Sequence, residues 1–371
     1  RGAHPMTRLE RLRAEMAANQ IDVTVLVPGS NLRYLSGIGF STKLRLACLI
    51  VPLTGQPAIV LPTMEAPRAV AQAQFPLHVF GWDDDAGPSA AVIDALRATN
   101  VRGGTIAVEH VVMRVFELRA IEAALPQARV VNADPVLAQL RMHKAADELA
   151  AMYKAIAVAE TALTQALQAK RIGMNELQVA ELWDKAIRDA GSVPSFDLAV
   201  GSGPNGASPH HSNGTRPLQA GDLVVIDGGA VVDGYVSDIT RTIAVGTVSA
   251  RARLVYDTVY AANAAGRAAA TLPNASGDSV DRAARAVIVN AGFGEFFIHR
   301  TGHGLGIDIH EPPFMVGGDT NRINPGMTFT VEPGIYLPGE CGVRIEDMLV
   351  RTSTGADTMT TFPRELFVVA E

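Results

Sequence analysis

Five polar side chains in the C-terminal part of the chain have residue types that suit binding of two metal ions. Four are carboxylates and one is an imidazole: Asp227, Asp238, His303, Glu332 and Glu346. Each lies in, or at the edge of, a segment whose apolar residues predict a β-strand. Oxygen ligands with one imidazole suit divalent ions, and two ions that share a water are typical of hydrolytic enzymes. The set therefore predicts a dinuclear hydrolase.

The two aspartates lie at the ends of neighbouring apolar segments. Asp227 ends the run that begins at Val224, and Asp238 follows a second short run after two glycine-containing turns. Burying an aspartate at such a position is costly unless it is paired or binds a metal. The alternative is that both are turn or cap residues, which is common for aspartate.

Two histidines share one glycine-rich run. His303 has a glycine on each side, so its backbone can approach a crowded site closely, and His310 lies further along the same run. No Gly-Lys-Ser/Thr follows, which excludes a phosphate loop. A zincin helix is excluded because Phe314 stands where its second histidine would be and Pro312-Pro313 would break the helix. Two histidines in such a run favour a functional site.

Two glutamates interrupt apolar strands. Glu332 follows Met327–Val331, and Glu346 follows Val343-Arg344-Ile345. A glutamate is rarely buried unless it is paired or ligated. An ion pair with Arg344 is the structural alternative for Glu346, although residues two apart on a strand share a face and both could be functional.

A polar loop before Asp227 carries further candidates. It contains Ser202-Gly-Pro-Asn205 and then Pro209-His210-His211. An exposed loop with incidental histidines is the alternative. No Gly-x-Ser-x-Gly motif is present in the chain, so serine hydrolysis has no support.

The elements that must position these residues divide into two predicted domains. Residues 6–135 alternate helix and strand, with a helix over Leu9–Asn19 and strands over Asp22–Pro28, Leu46–Val51, Ala58–Leu61 and Thr105–Val108. This alternation predicts an α/β domain with a mostly parallel or mixed sheet. A long helical stretch from Val136 leads into a second domain, residues 136–371.

The second domain shows faint self-similarity. A helix over Glu148–Lys170, a turn and a helix over Leu177–Asp189 are followed by glycine-punctuated strands, and the order recurs with helices over Ala252–Ala270 and Asp281–Asn290. Two such halves would place strands in one curved sheet with a site at their seam. The alternative is that helix pairs in an alanine-rich chain simply look alike.

Composition excludes several classes of protein. The 371 residues are 48% hydrophobic and 19% charged, too apolar for disorder, and no long uncharged apolar run predicts a membrane span. A formal charge of −6 argues against a nucleic-acid partner. The two cysteines, Cys48 and Cys341, fall in different predicted domains, which predicts no disulfide and a cytoplasmic location.

In combination these segments resemble the metal-dependent pita-bread peptidases, and more closely the Xaa-Pro branch of prolidase and aminopeptidase P. The matching segments, in order, are Ser-Gly-Pro-Asn…Pro-His210, Asp227…Asp238-Ile-Thr-Arg, Gly-His303-Gly…His310-Glu, Val-Glu332-Pro-Gly-Ile-Tyr and Arg344-Ile-Glu346-Asp. In the first domain, Pro28 to Gly37 is similar to the creatinase-type N-terminal domain. The resemblance implies an α+β fold: a creatinase-like α/β domain followed by a pita-bread catalytic domain with a duplicated helix-helix-strand unit.

The resemblance also implies roles. Asp227 would hold one ion, Asp238 and Glu346 would bridge both, and His303 and Glu332 would complete the second. Glu332 would also shuttle the proton, while His210 and His310 would steady the carbonyl and the oxyanion. Two divalent ions per chain are implied, with Mn the first choice and Co or Zn possible. A homodimer that acts on small peptides with proline second is expected from the family.

The choice between dipeptidase and aminopeptidase depends on a cation for the substrate carboxylate. Some prolidases place an arginine four residues after the second histidine, where this chain has Phe314. Arg45 or Arg344 is the predicted substitute, because arginine binds carboxylates through two hydrogen bonds. An Xaa-Pro dipeptidase is favoured over an Xaa-Pro aminopeptidase. A creatinase-like amide hydrolase or a non-catalytic peptide-binding module is disfavoured by the five intact ligands.

Overall fold

The computed structural model describes residues 6–40, 44–168 and 173–369. The chain forms two compact units, the first ending at Arg141 and the second beginning at Met142. The predicted boundary after residue 135 falls after the second residue of a helix that runs from Asp134 to Met142. Each unit is described by itself below.

The first unit contains a mixed sheet with helices between its strands. Its elements are α1 (Arg8–Ala18), β1 (Val23–Leu26), α2 (Ser30–Ser36), β2 (Cys48–Pro52), β3 (Ala58–Pro62), α3 (Ala66–Gln72), β4 (His78–Trp82), α4 (Ser89–Ala98), β5 (Thr105–Val108), α5 (Val115–Ala124), β6 (Arg129–Asn132) and α6 (Asp134–Met142). The strand order is β4-β3-β2-β1-β5-β6. β2 is antiparallel to both β1 and β3, and the other neighbours are parallel. The predicted α/β domain with a mixed sheet is confirmed.

Apolar, β-branched sequence explains the centre of this sheet. β1, β2 and β3 are buried along their whole length, so their side chains enter the core on both faces, as continuous apolar runs require. Helix α1 begins where Thr7 and Glu10 form a reciprocal capping box, which satisfies backbone donors at the first turn. The predicted elements here are correct to within two residues at most of their ends.

The second unit repeats the order of two helices followed by antiparallel strands. Its elements are α7 (Ala146–Gln168), α8 (Glu176–Asp189), β7 (Val193–Pro194), β8 (Ala199–Ser202), β9 (Leu223–Gly228), β10 (Ala230–Val232), β11 (Tyr235–Val236), β12 (Ile239–Val245), α9 (Ala250–Ala270), α10 (Gly277–Asn290), β13 (Gly302–Gly304), β14 (Glu311–Met315), β15 (Thr328–Val331), β16 (Gly334–Leu337), β17 (Cys341–Arg344), β18 (Asp347–Arg351), β19 (Ala356–Thr358) and β20 (Phe367–Val369). The predicted duplicated helix-helix-strand architecture is confirmed.

The second helix of each pair begins with the same local device. Asn175 caps α8 in a reciprocal box with Gln178, and Ser276 caps α10 with Ser279. Because of this cap, α10 starts at Gly277, four residues before the predicted start at Asp281. Residues 277–280, which were predicted as a connecting turn, form the first turn of the helix. The predicted end of the first helix at Lys170 lies outside the described residues.

Two sheets carry most of the strands of this unit. One has the order β20-β12-β9-β8 and the other β14-β13-β15-β18-β19. Trp183 and Leu163 of the first helix pair pack against Ile226 of β9 in one core cluster. Tyr256 of α9 packs with Val343 in another. The helices therefore cover the strands and fix their register by burial of apolar surface.

None of the helices within the described ranges has the length and apolar character that crossing a membrane requires.

Close backbone approach at β13 predicts the effect of a small substitution. A Cβ on Gly302 would lie 2.0 Å from the Thr330 carbonyl oxygen, so Gly302→Ala must displace backbone beside His303. We expect a loss of about 1–3 kcal/mol in the free energy of unfolding, measured by urea denaturation. Gly355→Ala is the control, because its Cβ would meet nothing nearer than 3.6 Å. Equal stability of the two variants would contradict the packing argument.

Candidate metal centre

Strand pairing brings the five predicted ligands together. Asp227 lies in β9 and Asp238 directly precedes β12; Asp227 pairs with Thr240, so Asp238, two residues earlier on that segment, shares its face. Val331 of β15 pairs with Asp347 of β18, so Glu332 and Glu346 are the next residues out on two neighbouring strands. The first two residues come from one sheet and the second two from the other.

Two hydrogen bonds between Thr240 and Glu346 join the two pairs. The Glu346 N–H donates to the Thr240 carbonyl oxygen at 3.0 Å, while the Thr240 hydroxyl donates to the Glu346 carboxylate at 2.7 Å. Glu346 is thereby held beside the aspartates of the other sheet. His303, in the middle of β13, pairs with Phe314 of β14 and completes the group.

All five side chains line one cavity of about 550 Å³. His210, His310 and Arg344 line it too, with Pro209 and His211 of the same polar loop. The sequence did not single out the other lining residues, which are Phe196, Asp197, Ala199, His299, Arg300 and Ile309. Arg45 lies in the first unit, where it is exposed and pairs with Asp84 at 2.5 and 2.8 Å. The acidic segment Asp83-Asp84-Asp85 is exposed on the surface of that unit.

The donor set has the properties of a cation site. Asp238, His303 and Glu346 each offer a ligand atom, and these atoms lie within 4.8 Å of one another. Five buried side-chain atoms of the described residues lack a hydrogen-bond partner, and three of them are carboxylate oxygens of Asp227, Asp238 and Glu346. Buried, unpartnered anionic oxygens are strongly unfavourable. Bound cations would satisfy these oxygens, so the residues present fit a metal site.

Burial and mutual repulsion control protonation in this group. Burial, then the charge of Asp227, raises the pKa of Asp238 well above its ordinary value. Burial, then the charges of Asp238 and Glu332, does the same to the pKa of Glu346. Burial would also raise the pKa of Glu332, but the hydrogen bond and charge of His303 outweigh it and lower that pKa to about 2. The carboxylates therefore compete for positive charge, which divalent ions would supply.

His303 already contacts two of the carboxylates. Its Nε2 lies 3.2 Å from Glu332 Oε1 and 3.6 Å from Asp238 Oδ2. Burial lowers the pKa of His303, but the hydrogen bond and charge of Glu332 reverse the sign and raise it. The same nitrogen faces the oxygens that would share a metal, so it is the natural ligand atom.

Arg344 does not neutralise Glu346, which was the structural alternative for that glutamate. Its guanidinium donates to Asp227 Oδ2 at 2.7 Å, to the Tyr336 hydroxyl at 3.0 Å and to Thr240 Oγ1 at 3.1 Å. Arg344 is therefore a buried partner of one predicted ligand, with most of its donors already used. Glu346 keeps one unpartnered oxygen.

The two further histidines differ in their surroundings. The rings of His310 and His303 meet edge to face, with centroids 4.2 Å apart. Burial, followed by the charges of His303 and Arg300, lowers the pKa of His310 to about 4, so it is neutral at pH 7 and offers one N–H donor. His210 is exposed on the loop that forms one side of the cavity.

A buried glutamate that sequence reasoning assigned only to a turn organises that loop. Glu176, at the first position of α8, is fully buried. One of its oxygens accepts from the Ser202 N–H and hydroxyl and from Asn205, and the other accepts from His211 Nε2 and the Gly214 N–H. Both ends of the segment that carries His210 are thus tied to one carboxylate. No sequence signal marks this, because the donors lie far along the chain.

Both parts of the chain match known protein families. Residues 150–353 match the model of metallopeptidase family M24, and residues 8–143 match the creatinase/prolidase N-terminal domain. The chain is 38% identical to a probable dipeptidase PepE of Mycobacterium tuberculosis over 93% of this chain and 91% of the relative. It is 32% identical to an Xaa-Pro dipeptidase of Lactobacillus helveticus over 97% of this chain and 98% of the relative.

The fold also matches a solved structure. A recombinant prolidase from Thermococcus sibiricus superposes with a TM-score of 0.92 and 33% identity, over 99% of this chain and 100% of the other. Both domains of the present chain are therefore covered by the same structural relative.

The Glu176 hydrogen bonds predict a stability effect with a defined pH dependence. In Glu176→Gln an amide NH2 would face backbone or side-chain donors, so we expect a loss of about 1–3 kcal/mol in the free energy of unfolding at pH 7. Burial raises the pKa of Glu176, but the hydrogen bonds from His211 and Ser202 outweigh burial, so the pKa is lowered overall. Because the folded-state pKa is below the unfolded one, the stabilisation is full above the ordinary glutamate pKa and disappears as pH falls through the lowered value.

Urea denaturation of both proteins between pH 7 and acid pH tests this. The difference between wild type and Glu176→Gln should shrink as the pH falls. Glu181→Gln, an exposed change on the same helix, is the matched control and should match the wild type throughout. A Glu176→Gln protein as stable as this control at pH 7 would show that the carboxylate does not hold the loop.

Proposed function

The chain belongs to metallopeptidase family M24, and from this we propose that it is an Xaa-Pro dipeptidase with two divalent metal ions per chain. The observation that carries the proposal is the set of three buried, unpartnered carboxylate oxygens on Asp227, Asp238 and Glu346 beside His303. Relatives of similar length that are named dipeptidase or Xaa-Pro dipeptidase support the reaction class.

Five residues are proposed to hold the ions. Asp227 would hold one ion, Asp238 and Glu346 would be shared by both, and His303 with Glu332 would complete the second. Four oxygen-donor side chains with one imidazole and no thiolate favour Mn, with Co or Zn as alternatives. Burial and then repulsion between carboxylates raise the pKa of Asp238 and Glu346, and positive charge from bound ions would relieve both effects.

The chain's own residues then have separate tasks. When bound, the ions supply Lewis acidity and lower the pKa of a shared water. Glu332, which lines the cavity beside His303, would accept a proton and return it to the leaving nitrogen. His310 and His210 line the cavity. They would donate hydrogen bonds to the substrate carbonyl oxygen and to the oxyanion.

The cavity wall also suits proline. Phe196, Pro209 and Ile309 supply apolar surface near the ligands. A proline ring is rigid, and its imide nitrogen has no N–H to leave unsatisfied against such a wall. The substrate's free amine is proposed to lie near Asp238. This combination supports specificity for a bond that general peptidases cleave poorly.

The alternative within the same chemistry is an Xaa-Pro aminopeptidase that accepts longer peptides. A dipeptidase is favoured because the relatives named above, which are 32–38% identical to the chain, carry dipeptidase or prolidase names. A cytoplasmic homodimer is proposed as well. Both cysteines are free and buried, which is compatible with a reducing compartment. Sedimentation of the purified protein tests the dimer.

Metal removal combined with two substrates tests the function directly. Chelator-treated protein should lose proline release from an Xaa-Pro dipeptide, and Mn²⁺ should restore it with about two ions bound per chain. An Xaa-Pro-Xaa tripeptide should be cleaved more slowly. Absence of metal-dependent proline release from either peptide refutes an Xaa-Pro peptidase, and faster cleavage of the tripeptide would establish the aminopeptidase instead.

A Glu332 variant can show whether the side chain affects the catalytic rate without affecting the stability of the fold. Glu332→Gln keeps the volume of the side chain but cannot accept the proton, so kcat should fall about 100- to 10,000-fold with little change in melting temperature. Glu340→Gln, an exposed change nearby in sequence, is the control and should keep full activity. An active Glu332→Gln enzyme would rule out its role as the proton carrier.

A further inference from the structure

Arg300 lines the cavity next to the residue that stands in the place of a family arginine. We propose that Arg300 binds the C-terminal carboxylate of the dipeptide and takes over the task that Phe314 cannot perform. The proposal rests on the Xaa-Pro dipeptidase function above. It replaces Arg45 and Arg344, the two candidates that the sequence suggested.

The position of Arg300 is defined by Phe314. The Arg300 guanidinium carbon lies 4.4 Å from the centroid of the Phe314 ring. Phe314 in turn is the strand partner of His303, a predicted metal ligand. A guanidinium held against an aromatic face is attracted by the ring quadrupole and loses rotational freedom. Phe314 therefore serves as a platform that keeps the cation at the cavity.

Arg300 differs from the other cavity arginine in its partners. Arg344 is committed to Asp227, Tyr336 and Thr240. Among the described residues, no carboxylate forms an ion pair with Arg300, although its side chain is half-buried. A partly desolvated cation without a counter-ion at the wall of a cavity is suited to bind an anionic ligand group.

The backbone around Arg300 is fixed from the second helix pair. Asp281 of α10 accepts hydrogen bonds from the Thr301 N–H and hydroxyl at 3.2 and 2.7 Å. Arg285, one turn further along α10, is paired with Asp281 and donates to the His299 carbonyl oxygen at 2.8 Å. The residues on both sides of Arg300 are thus anchored, and the side chain needs little further ordering when a ligand binds.

Such a site would explain a preference for dipeptides. In a dipeptide the carboxylate follows directly on the proline, whereas in a longer peptide that position holds a neutral amide. A guanidinium fork binds a carboxylate through two charge-assisted hydrogen bonds and an amide through at most one. Charge recognition at Arg300 would select peptide length without a steric block.

The test compares an Xaa-Pro dipeptide with its C-terminal amide in metal-loaded protein. Wild type should prefer the acid. Arg300→Gln should reduce this preference about 10- to 100-fold, mainly through KM, because it removes the hydrogen bonds to the charged group alone. Turnover of the amide should change little, which also shows that the variant is folded and loaded. Arg282→Gln, an exposed arginine of α10, is the matched control.

A second variant keeps the proposal falsifiable. The double change Arg300→Gln with Phe314→Arg places an arginine at the family position and should recover most of the acid preference. If Arg300→Gln lowers acid and amide turnover equally, Arg300 does not bind the carboxylate. If wild type cleaves neither substrate, the proposed function itself fails, so the two failures are distinguishable.

Discussion

Repulsion among buried carboxylates is the constraint on which the rest of the second unit depends. Asp227, Asp238 and Glu346 each keep a buried oxygen that accepts no hydrogen bond from any of the described residues. Inside a protein such groups are tolerated only if protons or cations neutralise them. Arg344 supplies one fixed positive charge, to Asp227. Protons or bound cations must supply the remainder, and cations are what a member of a metallopeptidase family would bind there.

Holding like charges together requires a rigid frame. Here the frame is two antiparallel pairings, β9 with β12 and β15 with β18, each of which ends at two of the acidic residues. The hydrogen bonds between Thr240 and Glu346 join them. Helices with capped first turns cover the strands, and each second helix sends a carboxylate, Glu176 or Asp281, to the loop or strand that carries histidines. Each of the two helix pairs thus contributes one carboxylate that holds a segment next to the site.

This division explains what the sequence could predict. A carboxylate that interrupts an apolar strand conflicts with burial, so residues such as Glu332 and Glu346 stand out locally and the fold class follows from the order of elements. Glu176 and Arg300 carry no such conflict. Glu176 is an ordinary residue for a first helical turn, and its five donors come from residues 202–214, which only the tertiary structure brings near. In the sequence, Arg300 has nothing to distinguish it from an ordinary surface arginine, because its contact with the Phe314 ring is formed only in the tertiary structure.

Because β13 pairs with β14, the cation that binds the substrate carboxylate could be supplied from β14 or from the segment that precedes β13. His303 must stay where the carboxylates are, because it binds them directly. A cation that recognises the far end of a substrate has no such restriction, since a long guanidinium can reach the same space from either strand. With phenylalanine on β14, the aromatic ring and the anchored segment before β13 together hold the arginine. Metal ligation fixes residue positions, whereas carboxylate recognition fixes only where a positive charge must lie.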